Sequence, residues 1–160
     1  MADIGYQIVG FHFRVRFDLP GQTSDGVDAQ GVDVRFQSVS GLDSEMDTEA
    51  WKEGGENHFE HTLPGRRKFT SPLVLKRGLL PPGASKLTDW CKAAFVDLKL
   101  QPMKSVSVEL LNEKHEPLVK WDLEWVWPKS WKIAELNAER SEVLIETLEL
   151  NFNRLSFKNP

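Results

Sequence analysis

The stretch Glu53-Gly-Gly-Glu-Asn-His-Phe-Glu-His-Thr-Leu-Pro-Gly65 places two histidines and three glutamates within nine residues. Imidazoles and carboxylates at that density can form a divalent-metal site or a general acid–base pair. The glycines before them and Pro64-Gly65 after them leave too little room for a stable helix, so the segment reads as extended. Side chains of an extended chain alternate between faces. Glu56, His58 and Glu60 then share one side, and Asn57, Phe59, His61 and Leu63 share the other. The two imidazoles point apart. Glu56 and His58 can still share a metal, which is the reading of the chain as a metal-dependent hydrolase, but zinc needs at least one further ligand. His12 and His115 offer none, since they read as an exposed strand face and a turn. The competing reading is a solvated polar interface loop.

Other chemistry finds less support. Cys91 falls on the apolar stripe of a helix and reads as a small core residue. The chain has no Gly-x-Ser-x-Gly elbow, no phosphate-binding loop and no Gly-x-Gly-x-x-Gly turn. The expectation is a protein with no catalysis, no cofactor and no resident metal.

The elements that must position these residues are mostly strands. Residues 11–18 alternate, with Phe11, Phe13, Val15 and Phe17 on one face and His12, Arg14, Arg16 and Asp18 on the other. A polar, glycine-rich turn over residues 20–31 precedes Val32, Val34 and Phe36, which predicts a hairpin. Residues 41–68 read as irregular. A strand follows over 70–77, with Leu73 and Leu75 inward and Pro72 at its start or at a sheet edge. Ser85 caps a helix of about residues 86–98, whose apolar stripe is Leu87, Trp90, Cys91, Ala94, Phe95 and Leu98. Two strands around Val106–Leu110 and Val119–Trp127 flank the turn 112–117, and Pro128 ends the second. Residues 131–138 are ambiguous, and a last strand covers 142–152. Trp121, Leu123, Trp125 and Trp127 form one apolar stripe that reads as core. If those rings were exposed, they would instead make the chain a monomeric carbohydrate-binding module.

The pattern predicts a mainly β protein: an antiparallel barrel or sandwich of six to seven strands with one flanking helix. At 160 residues it reads as a single domain. A net charge of −4 and a pI near 5.6 give no overall attraction to nucleic acid or anionic lipid. One cysteine rules out an internal disulfide. The opening residues lack the pattern of a signal peptide, and no apolar run approaches a membrane span. Synthesis and assembly in the cytoplasm are expected.

Charge is unevenly placed. Residues 43–60 carry Asp43, Glu45, Asp47, Glu49, Glu53, Glu56 and Glu60 against Lys52, a formal charge of −6. Residues 61–77 carry Arg66, Arg67, Lys68, Lys76 and Arg77 and no acid, a formal charge of +5. The two segments can pair within one chain as a hairpin, pair head to tail between chains, or remain solvated.

An ordered series runs through the chain: Phe36-Gln-Ser-Val-Ser-Gly-Leu42, Glu53-Gly-Gly-Glu-Asn57, Leu63-Pro-Gly65 with Arg66, Arg67 and Lys68, and Leu73-Val-Leu-Lys-Arg-Gly78. Leu87, Trp90, Trp121, Pro128, Trp131 and the 142–152 strand continue it. From Val9 to Leu155 this resembles the tail tube proteins of contractile phages and related extracellular injection particles. The resemblance implies a ring of six copies, stacked head to tail into a hollow tube that a contracting sheath drives through an envelope. The implied partners are further copies of the chain, a sheath protein, and baseplate and tube-terminating proteins, with DNA or an effector protein as lumen cargo. It also implies an extended assembly loop at about 43–68. Its interface residues would be Asp43, Glu45, Asp47, Glu49, Glu53, Gly54, Gly55, Glu56, Arg66, Arg67 and Lys68, with Pro64-Gly65 turning the chain back toward the 70–77 strand. The phage virion and the injection particle, and the bulk subunit and the tube initiator, stay open at this level, as does the strand face that lines the lumen.

Overall fold

The computed structural model describes residues 12–20, 35–55, 57–69, 71–81 and 83–159. In chain order the elements are β1 (Phe13–Phe17), β2 (Ser38–Ser40), β3 (Glu45–Trp51), β4 (His61–Lys68), β5 (Leu73–Gly78), α1 (Lys86–Phe95), β6 (Met103–Leu111), β7 (Pro117–Ile133), β8 (Ile145–Asn151) and β9 (Arg154–Lys158). Seven strands form one antiparallel sheet in the order β1-β6-β7-β8-β5-β2, with β9 joined to β7. β3 and β4 make a separate two-stranded sheet. The mainly β, antiparallel fold with one helix is therefore the one the alternation predicts. The expected 32–36 strand falls partly on residues 32–34, outside the described residues, as does Phe11. Phe36 packs against the core beside Phe17, their ring centroids 5.8 Å apart.

β7 holds the fold together. It has 17 residues, about 55 Å of extended chain. Its first half pairs with β6 on one side and β9 on the other, and its second half pairs with β8. Leu123 and Val126 are both fully buried, although three residues apart, which a regularly alternating strand cannot achieve. The change of face is taken at Trp125, whose φ is +57°. This corrects the continuous tryptophan stripe: Trp125 is 54% exposed, while Trp121 and Trp127 are half-buried. Pro128 does not end the strand. It pairs opposite Leu150 beside a register shift, a position where a sheet tolerates a missing N–H. The ambiguous 131–138 segment continues β7 only as far as Ile133. The last expected strand, 142–152, is realised as β8; β9 lies beyond it, a strand the alternation does not predict, and Asn153 between the two sends its N–H to the Glu124 carbonyl at 3.1 Å.

One core draws on both halves of the sheet and on the helix. Val15, Leu73, Leu75, Leu87, Met103, Val106, Leu123, Val126 and Leu150 are all essentially inaccessible. Ser85 caps α1 by accepting the Thr88 N–H at 3.3 Å, and Leu87, Trp90 and Cys91 face inward. The helix is shorter than its apolar pattern suggests. Leu98 sits at φ +55°, Lys99 N–H closes onto the Ala93 carbonyl at 2.9 Å, and Phe95 and Leu98 stand exposed.

Arg77 is buried against Glu146 and donates at 2.8 Å to Ser85 Oγ and to Thr88 Oγ1. Glu146 also accepts from Trp131 Nε1 at 2.9 Å. This cluster joins β5, β8, β7 and the start of α1. Its charges are compensated and hydrogen-bonded, the condition under which a buried pair is tolerated, and removing one partner from such a pair typically costs about 3–5 kcal/mol.

The outward face of β1, β6, β7 and β9 carries a second network. Arg14 pairs with Glu109, and Asp122 accepts from Ser107 Oγ at 2.7 Å and from Lys158 Nζ at 3.0 Å, with Lys120 at 3.3 Å. Burial alone would raise the Asp122 carboxyl, but the Ser107 hydrogen bond and the two lysines outweigh it and hold it below its ordinary value. A depressed carboxylate contributes stability above its unfolded value, about 3.9, and loses it as pH falls through the folded value. Amide exchange in β9, corrected for intrinsic rates, should therefore speed up below about pH 4 relative to pH 6–7. Asp122→Asn should remove most of that pH dependence, and an unchanged profile would count against this role.

Candidate assembly interface

The segment expected to be irregular is a β-hairpin. Glu45 pairs opposite Lys68, Met46 opposite Arg67, Thr48 opposite Pro64, Glu49 opposite Leu63, and Trp51 opposite His61. The chain reverses between Trp51 and His61, where Gly55 takes φ +95°, open only to a residue without a Cβ at low cost. Pro64-Gly65 is not the turn. Both residues lie inside β4, opposite a register shift between Met46 and Thr48. The reason is local: a Cβ on Gly65 would meet the Asp47 carbonyl oxygen at 3.0 Å, so the glycine lets the bulged strand approach.

Of the three readings of the charge asymmetry, the fold realises the intrachain pairing at the hairpin. Lys68 meets Asp47 at 2.6 Å across the two segments, while Lys52 meets Glu60 at 2.8 Å within the acidic one. Glu53 lies 3.8 Å from His61, an ion pair only when the imidazole is protonated. Such exposed pairs are worth about 0.2–1 kcal/mol each, enough to set register but not to hold a ribbon together. Arg77, counted among the bases by sequence, is instead committed to the core.

The hairpin buries almost nothing. Every residue of β3 and β4 is exposed except Asp47 and Gly65, which are half-buried. The exposed residues include large apolar side chains: Met46 at 58%, Trp51 at 58%, Phe59 at 57% and Leu63 at 41%. Trp51 and His61 stand opposite each other on the face that Glu49 and Leu63 share. A lone two-stranded hairpin is at best marginal in water. Exposed apolar surface on such an element marks a contact face.

At its root the hairpin is fixed firmly. Leu42 and Phe69, just outside its two strands, pack against the core, and Phe69 lies 5.4 Å from Phe152 with Arg67 over its ring at 5.3 Å. Gly41 has φ +90°, and a Cβ there would fall 1.9 Å from the Pro72 carbonyl oxygen. Between the root and β9 lies an open groove of about 560 Å³, lined by Arg67, Phe69, Trp121, Arg154 and Phe157 among others.

Asp43, Glu45, Asp47, Glu49, Glu53, Gly54, Gly55, Arg66, Arg67 and Lys68 are thus gathered on one projecting element or its immediate approach, while Glu56 lies outside the described residues. Sequence reasoning missed Met46, Trp51, Phe59 and Leu63, whose signal was apolar residues scattered through a charged segment. Glu56, the acid that the metal reading pairs with His58, lies outside the described residues, and among the described residues no three or more histidines, cysteines and acids gather into a metal-binding group. Likewise, among the described residues no helix is long and apolar enough to cross a membrane.

The sequence profile of the T4-like virus tail tube protein gp19 matches residues 9–156. No curated protein sequence matches the chain. The fold superposes on a chain of the anti-feeding prophage baseplate, solved with 6-fold symmetry, with a TM-score of 0.79 at 27% identity over 98% of each chain. It superposes on a chain of the sheath–tube complex of the PVC extracellular contractile injection system, in its extended state, with a TM-score of 0.74 at 22% identity, over 98% of this chain and 95% of that one. Hcp1 from E. coli EAEC 042 is a more distant likeness in fold, with a TM-score of 0.52 at 13% identity, covering 93% and 92% of the two chains.

The root geometry makes a prediction. Gly41→Ala must relieve both a left-handed backbone and a clash with Pro72, so it should cost more than about 1 kcal/mol in chemical denaturation. Gly54→Ala, where a Cβ meets nothing within 4 Å, should be close to neutral. Equal effects would show that the Ser40-Gly41-Leu42 turn does not set the hairpin's direction.

Proposed function

The chain belongs to the T4-like tail tube protein family and is a structural subunit of a tube, and on that premise we propose that six copies close into a ring whose stacked repeats form the inner tube of a contractile, phage-tail-like particle. The observation that carries this reading is the β3–β4 hairpin, fixed at its root and exposed on both faces, with Met46, Trp51, Phe59 and Leu63 lacking any core to enter. Its occupant is a second copy of the same chain. The contact is heterologous, one element against a different surface of the next subunit, and such contacts propagate into rings or filaments. Six-fold closure is supported by the 6-fold symmetrised baseplate relative.

Residues 1–160 act as a single tube domain, with 43–68 as its assembly element. The charged side chains set register: Asp43, Glu45, Asp47, Glu49, Glu53 and Glu56 on one side, Arg66, Arg67 and Lys68 on the other. Gly54 and Gly55 shape the tip. Complementary charge of this kind adds specificity more than affinity. Relatives solved in a sheath–tube complex, a baseplate and a terminating cap support a sheath protein, baseplate proteins and a tube terminator as partners. The lumen passes DNA or an effector protein, subunits assemble in the bacterial cytoplasm, and the chain performs no catalysis.

Negative-stain microscopy of concentrated protein, with baseplate proteins supplied where initiation needs them, should show rings or tubes. Arg66→Glu with Arg67→Glu should cut tube yield several-fold while circular dichroism stays unchanged and the thermal midpoint falls only slightly, since an exposed cation–π contact such as Arg67 on Phe69 is worth about 0.5–1 kcal/mol. Wild-type tube yield from the double variant would contradict the role given to this element.

A further inference from the structure

His12 and His115 are 103 residues apart in sequence, yet His115 Nδ1 lies 3.0 Å from His12 Nε2. The ring centroids are 4.5 Å apart and the planes cross at 83°. We propose that this pair is a binding site for a divalent transition cation with a tetragonal preference, of the copper(II) or nickel(II) class.

Both residues are held in place from the backbone. The His12 carbonyl accepts the Leu111 N–H at 2.8 Å, fixing the entry to β1 against the end of β6. The β6–β7 turn is closed by Asn112, whose side-chain oxygen accepts the N–H groups of Lys114 at 2.8 Å and Glu116 at 2.9 Å. His115 N–H returns to the Asn112 carbonyl at 3.0 Å, and His115 itself takes φ +62°. That left-handed backbone, uncommon for a residue with a Cβ, turns the imidazole toward β1. A preorganised pair loses little freedom on binding a cation.

The separation selects the geometry. Imidazole nitrogens bind metals at about 2.0–2.1 Å, so two nitrogens 3.0 Å apart subtend about 94° at a shared ion. That is close to the cis angle of a square-planar or octahedral site and well short of the tetrahedral angle zinc prefers. His115 is exposed and His12 half-buried, so water reaches the ion. The charged groups on the same turn are Glu113, Lys114 and Glu116, net acidic. Of these, the Glu116 carboxylate already accepts the Asn112 side-chain amide at 2.9 Å. Between neutral rings the cation replaces the bridging hydrogen: the donor ring shifts its proton to its other nitrogen, both facing nitrogens present lone pairs, and no net proton is released. Bound metal ties the start of β1 to the β6–β7 turn, so it raises the thermal midpoint of the folded chain.

The test is calorimetric titration of untagged protein with Ni2+ near neutral pH. One ion per chain should bind saturably. His12→Gln and His115→Gln should each weaken it at least about tenfold, and His58→Gln with His61→Gln should leave it unchanged. Electron paramagnetic resonance of the Cu2+-loaded wild-type protein should show two equatorial nitrogens, which needs no variant to fold. Absence of saturable binding, loss of binding through His58 and His61 instead, or a copper signal with fewer than two equatorial nitrogens would each overturn the proposal.

Discussion

The molecule is governed by an imbalance in burial. Among the described residues, seven strands and a helix enclose one core, yet the remaining two strands, β3 and β4, enclose nothing. Apolar side chains are each worth about 1.5–3 kcal/mol when fully removed from water. Met46, Trp51, Phe59 and Leu63 forgo roughly half of that within the single chain. A hairpin so exposed can be held in one conformation only by its root or by something outside the molecule. The root uses Gly41, Leu42 and Phe69, which fix direction but cover only the base of the ribbon. Under the proposed assembly the remainder is covered by a neighbouring copy, so the same residues look wasteful in a subunit and purposeful in a tube.

A projecting contact element needs a rigid body behind it, and the sheet supplies one. β7 runs through both halves, changes face at Trp125, and so lets one strand serve both halves of the sheet. The buried Arg77–Glu146 cluster fastens β5 and β8 to the start of α1 and to Trp131. Neither device adds contact surface. Each restricts how the layers can sit, which matters more for a repeating assembly than for a free monomer, because a small angular error per subunit accumulates along a stack.

What was legible in the sequence follows from which residues meet the core. β1, β5 and β6 show clean alternation because one face of each is buried, and α1 shows its stripe through Leu87, Trp90 and Cys91 for the same reason. β3 and β4 show no alternation because neither face meets the core, so period-two reasoning reads them as loop. The course of β7 was obscured by Pro128, which a bulge accommodates, and by Trp125, whose positive φ no side-chain pattern announces. β9 is five residues long and buries only Leu155, so it offers period-two reasoning almost no signal. At the hairpin, charge and the likeness to tube proteins singled out the segment that the fold projects from its body. The apolar residues on it, and the meeting of His12 with His115 across the fold, needed the tertiary structure.

The most direct test of the account is hydrogen–deuterium exchange over residues 45–51 and 61–68, measured in dilute subunits and again in assembled tubes. A ribbon completed by its neighbours should exchange quickly when dissociated and become strongly protected on assembly, while β6 and β8 stay protected in both states. Strong protection of the hairpin already in the isolated subunit, or exchange unchanged by assembly, would show that it does not bind its neighbours.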